Sequence, residues 1–321
     1  MRRVKRGVEN FALDYAAKNI VENILKSRAI SSVQLKQGVM TFKFHVQTEG
    51  GDDVMVRFYP ESRRSVVHQE PDLLDSCTRA GLSVPIPIGD SRTGPPAPLN
   101  YVVYRRIRGE TLACKLRTFD AARCRVAAED LGIHLLRIQE VRLKGAGELI
   151  TSKAGKDPSW QSFVERSMNQ GVKAIKTHKL LEESLITKTE QILSCTTLTP
   201  PHTLSRLVWG DINFGNILVG DDGRITGLID FESCLSGDPL ATLGYAAAAH
   251  GNAQFFSELL RLWPNLLSDR EKNLIDWYTL LRSLRLACYA HQPLPTGHTR
   301  DPLIQILPGL VPALLRLAEK C

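Results

Sequence analysis

Two hydrophobic spacings divide this chain. In Thr41–Val46 the apolar residues Phe42, Phe44 and Val46 alternate with Lys43 and His45, and in Val54–Phe58 the apolar Val54, Val56 and Phe58 alternate with Met55 and Arg57. A period of two collects the apolar set on one face of a strand. With Ser32–Lys36 ahead of them, and glycine-containing turns at 37–40 and 49–52, these runs predict a three-stranded antiparallel meander. Tyr101–Tyr104 predicts a fourth strand, after an extended Val84–Pro87 and a loop over Ser91–Pro98.

The other spacing is helical. Phe11, Tyr15, Ile20, Val21 and Ile24 predict an amphipathic helix over Val8–Leu25. A second helix is expected over Pro71–Ala80, with Pro71 confined to its first turn because it lacks an N–H, and Gly81 as the stop. Beyond Arg105–Gly109 helices are expected at Ala121–Val141, Trp160–Met168, Lys179–Leu193, Ala253–Trp263, Asp269–Tyr289 and Ile304–Glu319. Among them lie short apolar runs, Leu207–Val208, Ile217–Val219 and Ile225–Ile229, separated by glycine-bearing turns such as Asp221-Asp222-Gly223. The pattern predicts an α+β chain: a β-rich lobe over residues 1–106, a hinge near 106, and a mainly helical lobe over 107–321.

Composition adds little to that picture. A chain of 321 residues with 43% hydrophobic and 23% charged residues is ordinary globular material, which excludes wholesale disorder. The net charge of +7 suits anionic partners such as nucleotides, but the basic residues are dispersed, without zinc-finger spacing or an aromatic-interleaved basic run, so nucleic acid is not expected. Seven scattered cysteines without a Cys-x-x-Cys pair predict neither a disulfide framework nor a metal knuckle, and fit a reducing cytoplasm. No apolar run reaches membrane-spanning length, and no secretory signal is expected at the N-terminus.

The candidate chemistry lies between Leu207 and Glu232. Asp211, Asn216 and Asp230 each stand beside a short apolar run that would hold them still, and no set of cysteines or histidines competes for a softer metal. Any one of the three alone reads as a turn former or helix cap. Together, Asp-x-x-x-x-Asn followed by an aspartate across a hairpin meets the needs of phosphoryl transfer. Asp211 would take or orient the acceptor's proton, and Asn216 and Asp230 would offer hard oxygen ligands to Mg²⁺.

The run Trp209-Gly210-Asp211-Ile212-Asn213-Phe214-Gly215-Asn216-Ile217-Leu218-Val219, with Ile229-Asp230-Phe231-Glu232 and Gly237-Asp238-Pro239, resembles the signature of the aminoglycoside phosphotransferase and choline kinase-like family. These are small-molecule kinases with a bilobal, protein-kinase-like fold. Arg108-Gly109-Glu110-Thr111-Leu112, Leu131-Gly132 to Gln139, and Lys144-Gly145-Ala146-Gly147 with Ser159-Trp160-Gln161-Ser162-Phe163 extend the resemblance, which covers about residues 30 to 245.

The resemblance implies a site for ATP or another nucleoside triphosphate. Arg57 stands where the family usually has the lysine that pairs with the phosphates, and Glu70 would be its helix partner. From the pattern alone, a solvated strand residue is nearly as good a reading of Arg57. Gly38 would lie in the nucleotide-positioning loop, Tyr104 at the gatekeeper position, and the backbone of Arg105 and Ile107 along the adenine edge. Trp209 replaces the family's histidine and would hold the loop by packing and by its single N–H; Asp238 would brace the catalytic loop. A protein kinase is disfavoured by the missing Gly-x-Gly-x-x-Gly, His-Arg-Asp and Ala-Pro-Glu motifs. The expected function is an ATP- and Mg²⁺-dependent kinase acting on a hydroxyl of a small molecule: an aminoglycoside, another antibiotic, or a sugar- or amino-alcohol-type metabolite. The alternative is a nucleotide-binding pseudokinase serving as a scaffold or regulator.

Overall fold

The alternating runs emerge as strands in a computed structural model that describes residues 2–35, 40–194, 205–263, 267–289 and 302–319. Two compact units are present. The first comprises the described residues of Met1–Ser76 and Val84–Ile107, the second those of Cys77–Ser83, Arg108–Gln292 and Thr299–Cys321. The expected α+β architecture is observed.

In the first unit, helix α1 (Arg2–Leu25) precedes β1 (Ala29–Leu35), β2 (Phe42–Thr48), β3 (Asp53–Tyr59), helix α2 (Arg64–Arg79), β4 (Pro87–Asp90) and β5 (Asn100–Arg105). The strands form one antiparallel sheet in the order β1-β2-β3-β5-β4, so the meander expected from the sequence is part of a larger sheet. The apolar face of the alternation, Phe44, Val46, Val54, Val56 and Phe58, is buried with Leu13, Ala17, Ile20 and Val21 of α1. Phe44 and Phe58 meet edge to face with centroids 5.8 Å apart, a geometry the ring quadrupoles favour.

One expectation fails here. Helix α2 begins at Arg64, not at Pro71, and carries Pro71 in its interior. The missing N–H costs the helix a bond, but Val67, Leu73, Leu74 and Cys77 are buried on one of its faces, and that packing keeps it continuous.

The second unit begins with β6 (Glu110–Thr111), α3 (Leu112–Lys115), α4 (Ala121–Ile138), β7 (Ala146–Thr151), β8 (Ala154–Asp157), α5 (Trp160–His178) and α6 (Glu183–Leu193). There follow β9 (Arg206–Val208), β10 (Ile217–Val219), β11 (Ile225–Leu228), β12 (Leu235–Gly237), α7 (Leu240–His250), α8 (Gln254–Arg261), α9 (Asp269–Ala287) and α10 (Pro302–Ala318). Two small sheets, β11-β10-β6 and β8-β7-β12-β9, support the residues around Asp211. Helix α5 runs a further ten residues past the expected end at Met168, to His178. It is separated from α6 by Lys179, whose left-handed backbone (φ 50°) closes α5 and breaks the helix expected from 179. Helix α7 is unforeseen: its residues Ala241–Ala248 are all buried, largely against α9, so no amphipathic period marks it. Among the described residues no helix is long and apolar enough to cross a membrane, and Cys77, Cys114, Cys124, Cys234 and Cys288 are free thiols.

Candidate active site

Of the residues implied for nucleotide binding, Arg57 and Glu70 meet inside the first unit. Arg57 is only 7% exposed, which disposes of the solvated-strand reading. Its Nη1 lies 3.6 Å from Glu70 Oε1 and its Nε donates to Thr41 Oγ1 at 3.0 Å. The continuous α2 makes this possible, because Glu70 sits within the helix instead of ahead of it. Glu70 Oε2 also accepts from the hydroxyls of Tyr59 (2.5 Å) and Tyr104 (2.9 Å), and the Arg57 guanidinium lies over the Tyr59 ring at 5.1 Å. Burial, then the neighbouring Glu70 carboxylate, push the Tyr104 phenol well above its ordinary pKa and keep it a neutral donor. Tyr104 therefore belongs to the same buried network. Arg105 donates its backbone N–H to Ile86 O at 2.9 Å, and Ile107 is partly exposed just beyond. Gly38 lies outside the described residues.

Asp211, Asn216 and Asp230 are brought together in the second unit by one hairpin. Strand β9 delivers Trp209 and Gly210 to Asp211, a 3₁₀ turn over Phe214–Asn216 follows, and β10 and β11 pair antiparallel. Ile229 N–H donates to Asn216 O at 2.9 Å, which extends that pairing and sets Asp230 beside Asn216. Asp230 has φ 70°, a left-handed conformation uncommon for a residue with a side chain. The Asn216 side-chain amide donates to both Asp211 O (2.9 Å) and Asp211 Oδ2 (3.2 Å). An amide whose nitrogen faces a carbonyl and a carboxylate turns its oxygen the other way, which suits a cation ligand. Asn213 closes the turn, accepting from Gly215 N–H at 2.8 Å and donating to Asp211 O at 3.2 Å.

The loop is fastened from several sides. Trp209 is fully buried, stacks on Phe231 with centroids 5.4 Å apart, and donates its indole N–H to Asp230 O at 3.2 Å. The tryptophan thus links the residue before Gly210 to the Asp230 segment. Gly210 is required by contact: a Cβ there would lie 1.9 Å from Ser233 O. Asp238 accepts from Leu240 N–H at 3.0 Å and from the Tyr278 hydroxyl at 2.7 Å, while Trp160 Nε1 donates to that same hydroxyl at 2.9 Å. It both caps the start of α7 and ties that end to α9. Burial outweighs these two donors and raises its pKa above the ordinary carboxylate value.

Two supports lie beyond any motif. His250, at the end of α7, stacks on Phe214 at 3.6 Å and accepts from Phe214 N–H through Nε2 at 3.0 Å, which requires the neutral ring. Burial pulls its pKa from 6.5 down to about 4. The unfolded chain takes up this proton first, so the stabilisation is complete above about pH 6.5 and drains away as the pH falls towards 4. For a partly exposed ring the loss is about 1–2 kcal/mol. His250→Gln should remove that part of the pH dependence, read as a smaller drop in melting temperature than wild type between pH 7.5 and 4.5.

The second is Arg282 on α9, whose Nη2 lies 3.3 Å from Asp211 Oδ1 and whose guanidinium covers the Tyr245 ring at 5.3 Å. Desolvation lowers its pKa and Asp211 opposes that shift. Both partners are far from residue 211 in sequence, and only the packing of α7 and α9 reveals them.

The sequence profile of the phosphotransferase enzyme family matches residues 33–272. The chain belongs to this family. Solved structures similar to this phosphotransferase include a thermostable mutant of aminoglycoside phosphotransferase APH(4)-Ia in ternary complex with AMP-PNP and hygromycin B. That structure has a TM-score of 0.69 and 16% identity, over 95% of this chain and 97% of that one. The GDP complex of wild-type aminoglycoside 2'-phosphotransferase-IIIa gives 0.68 and 15%, over 94% and 99%. The streptomycin–ATP complex of APH(2")-IIa gives 0.60 and 14%, over 95% and 96%. At these identities the likeness establishes the fold, the protein-kinase-like α+β fold of the aminoglycoside phosphotransferases. No curated protein sequence matches the phosphotransferase.

Proposed function

We propose that this phosphotransferase is a small-molecule kinase that uses ATP, or another nucleoside triphosphate, and Mg²⁺ to phosphorylate a hydroxyl group. The observation that carries the reading is the side-chain amide of Asn216, which holds Asp211 with its nitrogen and so keeps its oxygen turned away from that carboxylate, while the backbone bond from Ile229 N–H to Asn216 O sets Asp230 alongside. The AMP-PNP, GDP and ATP complexes of similar structures support a nucleotide site, and the hygromycin B and streptomycin complexes support a hydroxyl-bearing acceptor.

Asp211 accepts or orients the acceptor's proton, and Asn216 fixes its carboxylate from one side. Asn216 Oδ1 and the Asp230 carboxylate form a hard-oxygen donor set that fits Mg²⁺. Bound there, the ion would neutralise charge on the phosphates and align them for in-line attack. Arg57, oriented by Glu70, supplies a charge for the α- and β-phosphates, and as a planar fork it grips two oxygens where a lysine offers a point charge. Tyr104, Arg105 and Ile107 line the base, with Gly38 in the phosphate-covering loop.

ATP consumption across antibiotics, sugars and amino alcohols, with Mg²⁺ present, tests this. Wild type should turn over at least one acceptor, and Asp230→Ala should cut that rate by about 10²-fold or more, the scale of losing a preorganised electrostatic group. Nucleotide binding without turnover on every acceptor would point to the pseudokinase.

A further inference from the structure

Asp211 does not stand alone. Arg282 Nη2 lies 3.3 Å from its Oδ1, and the guanidinium carbon lies over the Tyr245 ring, 5.3 Å from its centroid. Arg282 keeps 17% of its side-chain surface exposed and Asp211 39%, so the pair is open to a ligand from one side. One turn further along α9, Arg285 donates to Glu148 Oε1 at 3.0 Å and lies over the Phe163 ring at 4.7 Å. Arg166 takes the other Glu148 oxygen at 2.7 Å and also binds Asp157. The carboxylates in this cluster are therefore each engaged by an arginine. Donors are in surplus: the Tyr245 hydroxyl and Arg285 Nε are buried and have no hydrogen-bond partner among the described residues. Buried polar groups are normally paired, so two unmatched donors show that this cluster is short of acceptors, and Arg282 is its member that a ligand can reach.

We infer that the acceptor is a hydroxyl compound carrying an oxyanion, a carboxylate or a phosphate, and that Arg282 selects it. The inference rests on the kinase reading above and narrows it. A polycationic acceptor needs unneutralised carboxylates around the reacting hydroxyl, and here it would bring its ammonium groups up to a guanidinium fixed against the base. An oxyanion next to the reacting hydroxyl instead finds the fork of Arg282, while the hydroxyl faces the Asp211 oxygen that Asn216 holds. In the transfer the hydroxyl proton passes to Asp211, the new oxygen–phosphorus bond forms, and the bond from the γ-phosphorus to its bridging oxygen breaks, its electron pair leaving on the nucleoside diphosphate. Arg282 exchanges no proton; it positions the acceptor.

Calorimetric titration of the full chain at constant ionic strength, with gluconate, glucose 6-phosphate, glucitol and glucamine as probes, separates the cases. At least one anion should bind about tenfold or more tighter than glucamine, the scale of one charge-assisted hydrogen bond. Which anion binds better distinguishes carboxylate from phosphate. Arg282→Gln should reduce that ratio to about threefold or less, and Arg282→Lys, which keeps the charge but not the fork, should restore part of it. With the best acceptor in turnover, the loss in Arg282→Gln should fall mainly on KM. Glucamine binding as tightly as either anion, a ratio unchanged in Arg282→Gln, or no saturable anion binding would overturn the inference. The titration needs no phosphate transfer, so anion binding without ATP consumption would refute the kinase reading alone, and turnover best on aminosugars would refute this inference alone.

Discussion

Asp211→Ala is expected to lower turnover by about 10²–10⁴-fold on the best acceptor, the range for removing a general base, while nucleotide affinity stays within about threefold. Asp211 belongs to the second unit and touches Asn216 and Arg282, whereas the residues assigned to the phosphates and base belong to the first. Stability should change by less than about 1 kcal/mol, because the side chain is 39% exposed and its ion pair with Arg282 is partly screened. Steady-state ATP consumption with the acceptor, alongside calorimetric nucleotide binding, reads the two effects separately. Wild-type turnover in Asp211→Ala would remove it from the role of base; lost nucleotide binding would make its contribution structural.

Glu70→Leu should destabilise the protein by about 3–5 kcal/mol, the cost of breaking a buried ion pair from one side. Glu70 is 3% exposed and accepts from Tyr59 and Tyr104, which are themselves buried, besides facing Arg57. Removing the carboxylate leaves the buried Arg57 charge without this counter-ion and takes an acceptor from the two phenols, which keep their mutual bond at 3.0 Å. The double variant Arg57→Met/Glu70→Leu should recover much of the loss, since replacing a buried pair by apolar groups of similar volume is often neutral. Urea unfolding of wild type, the single and the double variant measures this, and a double variant no more stable than the single would show that the charge is not the cause. The recovered double variant should still fail to consume ATP at the wild-type rate, because Arg57 is the proposed phosphate clamp.

The grouping of Asp211, Asn216 and Asp230 is legible in the sequence because it is local: a 3₁₀ turn and one tight hairpin span all three. The strands of the first unit are legible for a similar reason, since one buried face imposes strict alternation over Phe42–Val46 and Val54–Phe58. Local rules mislead at Pro71, where burial of α2 overrides the preference for a proline at a helix start. They are silent at α7, whose Leu-Ala-Thr-Leu-Gly-Tyr-Ala-Ala-Ala-Ala run is packed on all sides and so carries no period. The hairpin β7–β8 is missed because Gly145, Gly147 and Gly155 break its alternation; each is held by close contact with backbone or side chain across the turn. His250, Tyr278 and Arg282 are invisible for another reason. Their roles depend on partners from 36 to 71 residues away, and nothing in their own neighbourhoods distinguishes them from ordinary helix residues.

At Gly210 any Cβ would come within 1.9 Å of Ser233 O, which constrains how this protein can diversify. The backbone carrying Asp211 and the backbone after Asp230 lie against each other at Ser233, and Trp209 bonds one to the other. Arg282 approaches the same carboxylate from a separate helix and through side-chain atoms alone. Arg282 can therefore be exchanged for another side chain on α9 without altering the backbone of the hairpin that carries Asp211, Asn216 and Asp230.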